Sequence, residues 1–197
     1  MRFVLTLLTH SSAYFRILSV TGVWTVKKSD NVGGWAMFVD GGEHDGVIIY
    51  ARVPDHVDDE SCNVTNNRGE LLAMKAAIQF CVDNIDVPVE IVADSMYCIN
   101  TVTDWMHRWY KLDNTFQTKS DGQPIKNSDI IADLYKLCQS LKFTLFFRHI
   151  KSHKHPPSDE GSLEYRLWYG NYCADKYAVA GKKLPNFDVV QTHIDEE

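Results

Sequence analysis

Apolar residues along this chain fall into runs whose period changes with position. Residues 64–78 open polar and turn-like at Thr65-Asn66-Asn67 and then become apolar, with Leu71, Met74, Ile78 and Cys81 recurring at three- and four-residue steps. That period predicts a helix to about residue 84 with one face turned to a core. Helices are also predicted over 97–110, over 128–141 with Ile131, Leu134 and Leu137 on one side, and over 171–180, ended by Gly181. Branched and aromatic runs predict strands at 3–9, 15–26, 33–39, 47–53 and 143–150. Residues 87–93 are nearly continuously apolar, as a central strand covered on both faces should be. Residues 27–31 read as a turn, and 55–60, 111–124 and 152–161 as loops. Strands followed by alternating helices and strands imply one mixed-sheet α/β domain over residues 1–184, with 185–197 as a polar tail that need not be ordered.

Composition narrows the class. The chain has 197 residues, 45% hydrophobic and 23% charged, which suits a globular domain with a sizeable core. Five cysteines, at 62, 81, 98, 138 and 173, include no Cys-x-x-Cys pair and read as small core residues in a reducing compartment. The opening apolar run is too short for a signal peptide, and no run approaches the roughly 20 apolar residues of a membrane span. The expectation is a cytoplasmic monomer without a membrane anchor. A net charge of -6 argues mildly against a nucleic-acid partner, so local patches decide. From 142 to 155 there are Lys142, Arg148, Lys151 and Lys154 with no acid. Arg108, Lys111, Lys119 and Lys126 are interleaved with Trp105, Trp109 and Tyr110, a pairing suited to phosphates and sugars, though Asp104, Asp113 and Asp121 dilute it.

Three acids change the picture further. Glu70 opens a helix, favoured there by the helix dipole, and its four-residue neighbour Met74 puts it at the border of the buried face. Asp94 ends the central strand, where ligands of open α/β sheets collect. Asp175 shares a helix face with Asn171, Tyr172, Ala178 and Val179. Each alone is more often a solvated carboxylate. Together at one sheet edge they would make a hard oxygen site for Mg²⁺ or Mn²⁺.

The segments holding these acids resemble, in order, the motifs of the type 1 ribonucleases H. Gly33-Gly34-Trp35-Ala36 resembles the family's second strand, and Thr65-Asn66-Asn67-Arg68-Gly69-Glu70-Leu71 its glutamate motif. Asp94-Ser95-Met96-Tyr97 is similar to its second aspartate motif. The substrate-handling segment is resembled by Trp105 to Trp109 followed by Gly122 to Asn127, the mobile histidine loop by Ile150 to His153, and the last metal motif by Gly170 to Asp175. The resemblance covers about residues 33–178. It implies a ribonuclease H-like, five-stranded mixed β-sheet flanked by α-helices, two divalent ions, and cleavage of the RNA strand of an RNA–DNA hybrid. It implies Glu70, Asp94 and Asp175 as catalytic metal ligands and His153 in proton transfer. It also implies contacts to nucleic acid from Asn66, Asn67, Ser95, Trp105, Trp109, Lys126, Asn127 and Lys151.

The departure lies at the start. The family carries an aspartate in its first strand, in a Thr-Asp-Gly-Ser-like context. Here the nearest text is Thr9-His10-Ser11-Ser12, and a second register, Val20-Thr21-Gly22, has no acid. The clean run at 3–9 favours His10, since imidazole is a competent metal ligand. A first rival reading follows, a catalytically impaired hybrid-binding module of the same fold. Two others stand beside it: a DNA nuclease or strand-transfer enzyme of the same fold, and an unrelated metal-free α/β domain.

Overall fold

The computed structural model describes residues 16–27, 30–54, 65–112, 114–116, 119–151 and 155–194. The strand expected at 3–9, with His10 after it, lies outside them, as do the acidic loop, His153 and Lys154. The described residues form a six-stranded sheet of order β5-β4-β1-β2-β3-β6. Strands β1 (Arg16–Lys27), β2 (Asp30–Asp40) and β3 (Val47–Val53) make an antiparallel meander. Strands β4 (Val89–Ala93) and β5 (Leu145–His149) extend it in parallel beyond β1.

Five strands were expected. The sixth, β6 (Val190–His193), pairs antiparallel with β3 and lies within the stretch read as a polar tail. Ile194 N–H bonds the Gly46 carbonyl at 2.8 Å, and Arg52 lies 5.7 Å from the Phe187 ring centroid, so the tail is fastened beyond its strand pairing.

Helix α1 (Asn66–Asn84) covers one face of the sheet, where Leu71, Met74, Ile78 and Cys81 are fully buried against Leu18, Met37 and Ile91. Helix α4 (Ser128–Ser140) packs beside it through Ile131 and Leu134. Helix α5 (Leu163–Gly181) covers the other face, setting Leu167 on Ile17 and Val92, and Cys173 and Ala174 on Phe38 and Ile48. It begins eight residues before the expected start, because Ser162 caps it by accepting from Tyr165 N–H at 3.1 Å. Small residues seat it closely. A β-carbon at Gly170 would run into the Ser19 hydroxyl, and one at Gly34 into the Ala178 carbonyl. With both faces covered, all five residues of β4 are buried, as its continuous apolar run requires.

Residues 96–112 are one helical stretch in three parts: α2 (Met96–Asn100), a π-helical turn (Thr101–Trp105) and α3 (Met106–Leu112). No helix among the described residues is long and apolar enough to cross a membrane.

Candidate active site

The carboxyl end of β4 is the point on which the candidate residues converge. Asp94 follows Ala93 there, half-buried, and Ser95 caps α2 by accepting from Cys98 N–H at 3.3 Å. From the α1 face, Glu70 reaches the same place and accepts a hydrogen bond from the Ser95 hydroxyl. Helix α1 starts at Asn66 with Thr65 as its cap, so Glu70 falls on the second turn rather than the first. Burial raises the Glu70 carboxyl above its ordinary value. The Ser95 hydrogen bond works the other way, and the Asp94 charge adds to the rise. Cys98, fully buried beneath the two acids, is held as a neutral thiol by burial and then by the Glu70 charge.

Around this pair the chain is tied down by groups that the sequence did not single out. His149, on β5, bonds the Asp94 carbonyl through Nε2 at 3.1 Å, and Ile150 N–H bonds the Ala93 carbonyl at 3.0 Å. Arg68, 5% exposed, forms a two-pronged pair with Asp129 at 3.0 and 2.7 Å, joining the start of α1 to the start of α4. Its Nη1 also donates to Asn127 Oδ1 at 3.4 Å. One further tie lies on α5: the Asn171 amide donates to Asp175 at 3.4 Å.

Asp175 stands half-buried on α5, across the sheet from α1. Glu70 and Asp175 therefore approach from opposite faces, with Asp94 at the strand end. Among the described residues, however, no three His, Cys, Asp or Glu side chains are grouped closely enough to hold a metal ion. The donor set of Glu70 and Asp94 fits a hard divalent cation. Two adjacent oxygen ligands, one with its carboxyl raised by burial and by the other's charge, form a place where positive charge is missing.

The first-strand register is read from the backbone. Strand β1, over Arg16–Lys27, runs parallel to β4, and their last registered pair is Val20 with Ala93. Thr21 follows Val20 as Asp94 follows Ala93, so the Val20-Thr21-Gly22 segment occupies the place beside the acid. β1 contains no Asp or Glu. His10 precedes β1 and lies outside the described residues.

The expected nucleic-acid contacts divide. Asn66, Asn67, Lys126 and Lys151 are exposed. Tyr97, Trp105 and Trp109 form a chain of rings with centroids 5.8 and 5.9 Å apart, starting at Tyr97, which lies within reach of the Glu70 charge. Ser95 is buried and bound to Glu70, and Asn127 is 3% exposed, in a left-handed conformation, hydrogen-bonded to Arg68 and Tyr97. Both are internal braces in this structure, not surface groups. The basic run from 142 to 155 also loses a member: Arg148 pairs with buried Glu90 at 3.0 Å across β4 and β5. Arg108 is likewise paired, with Asp104 one turn away.

Comparison with known proteins places these features in a wider group. The RNase H family model matches residues 27–183. Ribonuclease H of Rickettsia felis is 32% identical over 121 residues, which cover 61% of this chain and 67% of the relative. The PFV RNase H domain superposes with a TM-score of 0.60 at 18% identity, covering 87% of this chain and 96% of that domain. A foamy viral protease-reverse transcriptase, in a structure with RNA/DNA hybrid, gives a TM-score of 0.57 at 18% identity, covering 93% of this chain and 22% of that one.

Proposed function

This chain belongs to the RNase H family and is a ribonuclease H, and we propose that it hydrolyses the RNA strand of RNA–DNA hybrids with the help of divalent cations held at Glu70 and Asp94. The observation that carries the reading is the juxtaposition of those two carboxylates at the end of β4, with the Glu70 carboxyl raised by burial and by Asp94. Asp175, braced by Asn171, is the third oxygen donor we assign, and a ring nitrogen of His10 the fourth ligand.

Divalent cations in such a site supply the positive charge that lowers the pKa of an attacking water and stabilises the leaving oxygen. The chain's own residues do the rest. Ser95 fixes the Glu70 carboxylate, and His149 fixes the backbone from which Asp94 projects, so neither acid must reorganise when substrate arrives. Water adds to phosphorus, the bond to the 3′ oxygen breaks, and that oxygen takes up a proton, a transfer we assign to His153. To Asn66 and Asn67, exposed in the first turn of α1, we assign donation to the sugar-phosphate chain, including the 2′-hydroxyl that marks RNA. Trp105 and Trp109 offer ring faces to sugars, and Lys126 and Lys151 offer charge to phosphates.

The test is cleavage of a labelled hybrid with Mg²⁺ or Mn²⁺, alongside single- and double-stranded controls. Cleavage confined to the RNA strand of the hybrid and lost in chelator supports the reading. Equal activity in excess chelator overturns it. One observation favours a second reading, a hybrid-binding module of low activity: β1 carries no carboxylate beside Asp94. Tight hybrid binding without turnover in either metal would favour that reading.

A further inference from the structure

The outer side of α5 carries a row of aromatic rings that the cleavage reaction does not use. Tyr165, Trp168, Tyr169 and Tyr172 recur at the three- and four-residue steps of one helix face. Leu167, Gly170, Ala174 and Ala178 are turned to the sheet, which leaves this row on the flank. The rings are ordered with respect to each other. Trp168 and Tyr172 stack at 5.4 Å with their planes 14° apart, Tyr165 and Tyr169 lie 7° from parallel at 6.3 Å, and Tyr165 and Trp168 are 5.5 Å apart. Tyr169 is anchored edge-on against Phe38, whose side chain is in the core. The last ring, Tyr172, is 49% exposed.

We infer that this row is a stacking platform for unpaired nucleotides flanking the hybrid, the single-stranded continuation of either strand. Three observations select that occupant. Tyr172 lies one turn before Asp175 on the same helix, so the rings lie within reach of the segment that carries that carboxylate. Exposed Lys176 follows Tyr172 by four residues and sets a cation beside the row, where a phosphate between stacked bases would lie. The large apolar residues of α5 that stand mostly clear of the fold are Tyr172 and, two turns on, Val179. No leucine or isoleucine of the helix is exposed, as a protein-docking helix would require. Every base has a π face, so such a row binds without reading sequence. Its anchoring through Phe38 holds the rings in place before binding, which lowers the ordering cost.

This inference rests on the hybrid-cleaving reading for its biological setting, but it is tested separately. Cleavage of a blunt hybrid is compared with cleavage of the same hybrid bearing a single-stranded extension, in wild type, Tyr172→Ala and Tyr172→Phe. Anisotropy of labelled oligo(dT) measures single-strand binding directly, without metal or turnover. The expected result is a KM for the extended hybrid about tenfold below that for the blunt one, the scale of one base stacked on an aromatic side chain. Tyr172→Ala should abolish that difference and weaken oligo(dT) binding by a similar factor, while Tyr172→Phe retains both and blunt cleavage is unchanged in each. Wild type that treats both hybrids alike and leaves oligo(dT) free overturns the platform while leaving the enzyme reading intact. If no hybrid is cleaved, the function fails and the oligo(dT) arm still decides the platform. Concentration-dependent self-association lost in Tyr172→Ala, with no oligo(dT) binding, overturns it in favour of a protein contact.

Discussion

Arg68 and Asp129 join α1 to α4 by two hydrogen bonds, at 3.0 and 2.7 Å, with the guanidinium buried and the carboxylate half-exposed. The asymmetry sets what each substitution does. Asp129→Asn leaves a buried cation without its counter-charge and should destabilise by about 2–3 kcal/mol, toward the low end for buried pairs because Asp129 is partly solvated. Arg68 lies two residues before Glu70, so the same variant should also lower turnover. Denaturant midpoints alongside hybrid-cleavage rates check both. An unchanged midpoint would mean that the pair contributes nothing net.

The Glu70 carboxyl is raised by burial and by Asp94, and the sign of its effect on stability follows. Between the unfolded and folded values the native state binds more protons than the unfolded one. Stability from this group is therefore full below the unfolded value near 4.5 and is lost as pH rises through the folded value. At neutral pH the ionised side chain opposes folding. Glu70→Gln should have a higher melting temperature than wild type at pH 7 in chelator, and the gap should close toward pH 4. Activity should be lost at the same time. A melting curve identical to wild type at pH 7 would show that the acid is not under strain.

Asp94→Asn keeps the shape of the β4 terminus and removes one charge. Its loss should lower the cleavage rate by roughly 10³-fold or more, the scale of removing a preorganised electrostatic group. Hybrid affinity should change little, because the sugar-phosphate contacts assigned above are to other residues. Single-turnover rates and filter binding separate the two effects.

The first-strand position gives a paired prediction. If the site draws its fourth donor from the N-terminal segment, His10→Ala lowers activity with either metal, and His10→Asp raises Mg²⁺-supported activity. The β1 register instead sets Thr21 in step with Asp94. Thr21→Asp should then raise Mg²⁺-supported activity, with His10→Ala silent. Mg²⁺ titrations of the three variants distinguish the two arrangements.

Binding should be salt-sensitive despite the net charge of -6, because the contacts assigned above are to lysines that are exposed. Lys126→Ala and Lys151→Ala should each reduce the slope of log affinity against log salt by about 1. Arg148→Ala should leave the slope unchanged, since that arginine is engaged by Glu90, and should instead lower stability.

Much of this architecture was legible from residue patterns, for reasons that can be located. α1 and α4 announce themselves because Leu71, Met74 and Ile78, or Ile131 and Leu134, repeat at the helical period and meet the core at every repeat. β3 and β4 are bounded by turn residues and polar breaks. The first turns of α5 were missed because only Leu163 and Leu167 carry the aliphatic repeat there, with tyrosines, a tryptophan and a glycine around them. β6 has four residues, too few for a period of two to register. Glu70, Asp94 and Asp175 could be named as candidates one by one, but the groups that brace them could not. Arg68 on a first turn reads as a solvated cation, and its partner is 61 residues away. His149 stands just before the Ile150–His153 segment, whose resemblance drew attention to His153 instead. The choice between His10 and the Val20-Thr21-Gly22 register depends on strand pairing with residues about 70 positions downstream, which local pattern does not encode.

The strand β6 lies beyond residue 183, where the match to the family ends. It occupies the side of β3 that would otherwise be the rim of the sheet. A chain cut after Leu184 would keep the carboxylates, α1 and α5, yet leave the amides and carbonyls of Val47–Tyr50 without their β6 partners. Such a rim recruits strands from other molecules. The shortened protein should thus remain an enzyme in dilute solution and aggregate on concentration. The thirteen residues after Leu184 then serve as a guard on solubility, a task separate from both catalysis and substrate choice.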